Sequence, residues 1–127
     1  MVTIDELVAE LRPWIEKVDG RLEKLERQKT LERKWLPVFT SMLGMSKSPE
    51  FSYNIRCIVN DVSAGGKLAT QENYNRVWTA LNEIRLEYRL KSSAPEEYVQ
   101  QELQRNFVWQ DLKRASDDIW AILKRGE

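Results

Sequence analysis

The 127-residue chain has the length of one domain, and 42% apolar residues with five tryptophans describe a folded globular protein. Twenty basic and twenty acidic residues cancel, so no global basic field advertises nucleic-acid binding. The lack of histidine removes the commonest general base, most zinc and iron sites and every Ser-His or Cys-His nucleophile pair, and the single Cys57 excludes an intrachain disulfide.

Glycine and proline together number nine, too few for the turns of a many-stranded fold. The expected class is all-α: an antiparallel helical bundle of four to five helices in one domain, 1–127, with a long, kinked N-terminal helix of coiled-coil character. No basic and apolar leader opens the chain, and the longest apolar run, WLPVF at 35–39, is too short to span a bilayer. The expectation is an intracellular, cytoplasmic setting, with a nuclear or virion-interior one compatible, and no membrane partner.

Residues 3–25, TIDELVAELRPWIEKVDGRLEKL, carry an apolar residue at every 4-3 step. Thr3 and Glu6 have the spacing of a capping box at the helix start. Pro13 costs roughly 3 kcal/mol inside a straight helix and Gly20 about 1 kcal/mol relative to alanine. The apolar phase nevertheless survives both, which predicts one helix to about residue 30, bent near Pro13. Heptad positions a fall on Val8, Ile15, Leu22 and Lys29, and positions d on Ile4, Leu11, Val18 and Leu25. With Leu7 and Trp14 at g, the first half has a wide stripe suited to a domain core, and the second half narrows to a seam flanked by charge.

Charge divides the same segment. Asp5, Glu6, Glu10, Glu16 and Asp19 against Arg12 and Lys17 give 1–20 a net −3. Arg21, Lys24, Arg27, Lys29, Arg33 and Lys34 against Glu23, Glu26 and Glu32 give 21–34 a net +3. Parallel self-pairing would set like on like, so antiparallel packing is the expectation, within the chain or with a second copy.

A second apolar block, Leu31 to Leu43, contains Pro37, and a helical break is expected near 35–37. Ser48 as N-cap and Pro49 at the first helical position start a helix over about 49–63. Its stripe is Phe51, Ile55, Ile58 and Val62, with Tyr53, Cys57 and Ala64 on the other side, the pattern of a sandwiched helix. Gly65 or Gly66 suits the left-handed position after its end. Thr70 caps a helix over 71–91 with Tyr74, Val77, Trp78, Leu81, Ile84 and Tyr88 on one stripe. Ser93 and Glu96 form a second capping box for the last helix, whose pattern slips at Arg105 and Asn106.

Chemistry is sparse. GGK at 65–67 lacks the upstream glycine and the following Ser or Thr of a phosphate loop, so it reads as a helix end. All-α nucleotide pyrophosphatases of the MazG type bind Mg²⁺ with ExxE and ExxD motifs on separate helices. Here Glu16–Asp19 and Glu23–Glu26 have those spacings on one helix, interleaved with cations, and read as a solvated face. A Mg-dependent nucleotide hydrolase is thus a remote alternative, and the chain is expected to be no enzyme and to take no cofactor or metal.

The leading expectation is a non-enzymatic protein-protein interaction or oligomerisation module, an adaptor, assembly or accessory factor acting through helical surfaces. Its candidate interface residues are Val18, Leu22, Leu25 and Lys29 on the first helix, with the off-stripe Leu86, Leu90, Trp109 and Trp120. The alternative is a small nucleic-acid-associated protein using Arg27, Lys29, Arg33 and Lys34 on phosphates.

Overall fold

The computed structural model describes residues 4–45, 47–91 and 93–126, and in the first helix gives no side-chain description at 5, 7, 10 and 13–20. The proposed cap Thr3 lies outside the described residues. Five helices follow in order: α1 (Ile4–Met42), α2 (Pro49–Ser63), α3 (Gln71–Lys91), α4 (Glu96–Arg105) and α5 (Phe107–Leu123). They pack as an all-helical bundle, with no strand among the described residues.

Contacts run in opposite order along neighbouring helices. Ser48 and Lys47 meet Glu83 and Glu87, whereas Asp61 meets Asn73, so α2 and α3 are antiparallel. Tyr74 lies against Trp120 and Tyr88 bonds Asn106, which sets α3 against α5 the same way.

The core is made of one stripe from each helix together with Leu68 and Ala69 of the α2–α3 connection. Leu31, Trp35, Phe39 and Met42 come from α1, Phe51, Ile55, Ile58 and Val62 from α2, and Val77, Ala80, Leu81 and Ile84 from α3. Val99 and Leu103 of α4 and Val108, Leu112, Ala115, Ile119 and Ile122 of α5 complete it. Side chains of this size stabilise by about 1.5–3 kcal/mol each when fully buried.

Several local expectations hold. The Ser48 hydroxyl accepts from the Phe51 N–H at 3.2 Å with Pro49 beginning the helix. Gly65 takes φ of 94° after α2. Thr70 accepts from the Asn73 N–H at 3.1 Å. The slip at Asn106 is a true boundary, where the Asn106 side chain accepts from the Trp109 N–H at 3.0 Å and caps α5.

Four expectations are corrected. Helix α1 does not end near residue 30 or break at Pro37; it continues to Met42. Pro37 and Arg33, whose carbonyl loses its donor, both lie on the exposed side, so water can serve that carbonyl while Trp35, Phe39 and Met42 anchor the inner side. The order of burial along α1 is also reversed: its C-terminal portion is in the core, and every described side chain from Ile4 to Glu26 is exposed. Helix α2 does pack between α1 and α3, but its second face stays open, with Tyr53 exposed and Cys57 only half-buried. Ser93 does not cap α4, which starts at Glu96 after Pro95 with no side-chain cap.

Candidate interaction surface

An α-helix rises 1.5 Å per residue, so the stretch of α1 before Arg27, exposed at every described side chain, is a rod about 35 Å long. Ile4, Val8, Leu11, Leu22 and Leu25 are all exposed on it, Leu22 at 54% and Leu25 at 49%. For an ideal helix at 100° per residue, these five point roughly 140° away from the mean direction of Leu31, Trp35, Phe39 and Met42. The rod's apolar stripe is therefore not an extension of the core face. It opens to another side, where none of the described side chains of the bundle buries it.

The junction between rod and bundle is fixed by Gln28, which sequence reasoning passed over as one more polar residue beside the seam. It is buried at 5% exposure. Its carbonyl oxygen accepts from the Ala69 N–H at 3.1 Å, and its amide N–H donates to the Ala69 carbonyl at 3.4 Å. The α2–α3 connection is thereby tied across the shoulder of α1. Asn73, fully buried, braces that connection by donating to Asp61 and to the Lys67 carbonyl at 3.0 and 3.1 Å. A cavity of about 260 Å³ opens at this shoulder, lined by Arg21, Lys24, Leu25, Gln28 and Lys67.

The candidate interface residues do not gather on one surface. Leu22 and Leu25 lie on the rod and Lys29 just past its junction with the bundle, and the Val18 side chain is outside the described residues. Leu86 and Leu90 are exposed far along α3, Leu90 at 88%. Trp109 is half-buried against the core, while Trp120 stays partly exposed and tilts over Tyr74 with ring centroids 5.6 Å apart. Trp120 thus roofs the edge of the α3–α5 contact.

The four cations of the nucleic-acid alternative divide between two sides of α1. With 3.6 residues per turn, Lys29 and Arg33 share the side of the apolar stripe, and Arg27 and Lys34 point nearly opposite. Lys34 reaches the Asp118 carboxylate at 3.0 Å and lies 5.0 Å from the Trp35 ring centroid. Asp118 also accepts from the Trp35 indole N–H at 2.8 Å. Arg27 lies 3.9 Å from Glu23, one turn before it on the same helix.

Among the described residues, no group of three or more carboxylates or cysteines is arranged to hold a metal ion. No described helix is long and apolar enough to cross a membrane. Set beside known proteins, the chain matches no family model, no curated protein and no solved structure.

Proposed function

We propose that the chain is a non-enzymatic protein-protein interaction module, an adaptor or assembly factor that works by packing the rod of α1 against a partner helix. The observation that carries the reading is the row of exposed apolar residues, Ile4, Val8, Leu11, Leu22 and Leu25, on one side of a helix anchored at its other end in a core. A helix with a proline and a glycine inside it is marginal in water without packing, because helices draw most of their stability from packing an apolar face. A rod with this stripe gains order and buries surface only when another helix covers it.

In this reading the segment is a coiled-coil element, bent at Pro13 where a backbone donor is missing, with Lys29 as a polar a position limiting register. The division of Arg27 and Lys34 from Lys29 and Arg33 weighs against phosphate binding, which needs several cations on one surface.

Amide exchange on the full chain tests the reading. In dilute protein, amides of 4–26 exchange fast while those of Leu31–Met42 are protected, and occupancy of the stripe slows the former. Leu22→Glu with Leu25→Glu removes that gain and leaves the bundle's protection intact. Rod amides as slow as those of Leu31–Met42 in the dilute, monomeric chain would overturn the reading, since the stripe would then need no partner.

A further inference from the structure

Resting on that reading, we propose that the occupant of the stripe is a second copy of this chain, lying antiparallel in one register: Val8 against the partner's Leu25, Leu11 against the partner's Leu22, and Ile4 against the partner's Lys29. Antiparallel coiled coils pair a positions with d positions, and each of these three pairs does so. By two-fold symmetry every pair occurs twice, once at each end of the paired rods.

Charge selects the orientation. The segment 4–12 holds Asp5, Glu6 and Glu10 against Arg12, a net −2, and 21–29 holds Arg21, Lys24, Arg27 and Lys29 against Glu23 and Glu26, a net +2. The antiparallel register lays these two segments side by side at both ends, whereas a parallel pair lays −2 on −2.

Length selects the register. The open portion of α1 runs from Ile4 to the shoulder at Gln28, beyond which Leu31 enters the core. Pairing Ile4 with the partner's Lys29 overlaps the two open portions along their full extent. A shift of one heptad to Ile4 against Leu22 carries Leu25 past Ile4, the first described residue of the partner helix. The opposite shift, Leu11 against Lys29, drives Ile4 to the level of Leu36, where α1 is already packed in the bundle. In the proposed register the partner's acidic first turns come level with the shoulder cavity, whose rim carries Arg21, Lys24 and Lys67 around Leu25.

Disulfide trapping on the full chain tests this. Cys57, the single cysteine, is replaced by serine, and Ile4→Cys, Leu11→Cys and Leu22→Cys are made separately in that background. All three sites lie outside the core, and circular dichroism and tryptophan emission confirm folding. An equimolar mixture of Leu11→Cys and Leu22→Cys chains in a glutathione redox buffer gives a covalent dimer, neither variant alone does so, and Ile4→Cys mixed with Leu22→Cys stays unlinked. Light scattering of the unmodified chain shows twice the monomer mass as concentration rises. Linking by Leu22→Cys alone, or between Ile4→Cys and Leu22→Cys, overturns the proposed pairing but leaves the stripe an interface. A monomer at every concentration, with no linked product, overturns self-association. If dilute rod amides are fast in that monomer, the broader reading survives with a foreign partner; if they are slow, both fall.

Discussion

Gln28 and Ala69, 41 residues apart, exchange two hydrogen bonds, with the Gln28 side chain standing in for a backbone partner to both the N–H and the C=O of Ala69. Both residues are buried, so the two bonds are made away from bulk water. Gln28→Ala leaves the Ala69 N–H and carbonyl without these partners, a loss of about 2 kcal/mol. Urea unfolding monitored by tryptophan emission measures it. A loss below a few tenths of a kcal/mol would show that the tie does not hold the shoulder.

The same connection depends on two glycines for different reasons. Gly65 takes a left-handed φ of 94° in open space. Gly66 donates to the Asp61 carbonyl at 2.9 Å, and a Cβ there would sit 2.8 Å from that oxygen and 2.5 Å from the Asp61 carboxylate. Gly66→Ala therefore forces backbone apart and destabilises by roughly 1–3 kcal/mol, as overpacking does. Gly65→Ala costs about 1 kcal/mol through its dihedral alone. At Gly44 a Cβ meets only the Ser41 carbonyl at 3.7 Å, making Gly44→Ala the steric control. Thermal unfolding of the three variants ranks Gly66 first if close approach, not conformation, dominates.

Pro37 offers a gain of stability. It is exposed within a helix that continues through it, where proline withholds a donor from the Arg33 carbonyl and crowds it. Pro37→Ala restores the bond but gives back freedom to the unfolded chain, offsetting about 0.4–1 kcal/mol of the gain. A net increase of about 1–2 kcal/mol is expected in urea unfolding. An unchanged midpoint would mean that the helix has adapted fully to the ring.

Pro37 also marks where the sequence is hard to read. A local rule places a break there, and burial of Trp35, Phe39 and Met42 on the inner side of the same turns overrides it. Elements with their own local chemistry were legible: Ser48 with Pro49, Thr70, Gly65 and Asn106 each mark a boundary through contacts within a few residues. The all-α class and the stripes of α2 and α3 followed from periodicity. What periodicity cannot say is which apolar stripe meets the core. Ile4 to Leu25 and Leu31 to Met42 are equally apolar on paper, and only tertiary packing buries the second and exposes the first. Gln28 was illegible for the same reason, since its partner lies 41 residues away.

Glu96 shows how a misread cap becomes an ion-pair site. Instead of closing a capping box, its carboxylate bonds Arg85 and lies 2.7 Å from the Arg89 guanidinium. The Arg85 hydrogen bond, opposed by desolvation and aided by Gln100, holds its pKa below the usual 4.5. A carboxyl whose pKa is lower folded than unfolded stabilises the fold above the unfolded value, and this is lost as pH falls through the folded one. Glu96→Gln is therefore expected to lower the melting temperature at pH 7, with the gap to the unmodified chain closing below about pH 4.5. A gap unchanged from pH 7 to pH 3 would assign the effect to packing.

Lys29 is exposed at the a position that ends the apolar row of α1, and in the antiparallel pair it faces Ile4 of the other copy. A lysine there can bend its ammonium to water while its stem covers part of the isoleucine, so it limits the seam without breaking it. Lys29→Leu adds an apolar layer at each end of the dimer. At about 1 kcal/mol for each partly covered layer, the two together amount to about 2 kcal/mol, or roughly thirtyfold in dissociation constant. In the register that pairs Ile4 with Leu22, residue 29 lies beyond the end of the seam, so the change stabilises the proposed register alone and linking between Ile4→Cys and Leu22→Cys should stay absent as affinity rises. Sedimentation equilibrium on the Lys29→Leu chain measures the first effect, and the cysteine pairs measure the second. An unchanged dissociation constant would place residue 29 outside the seam and shorten the paired rods to the segment before it.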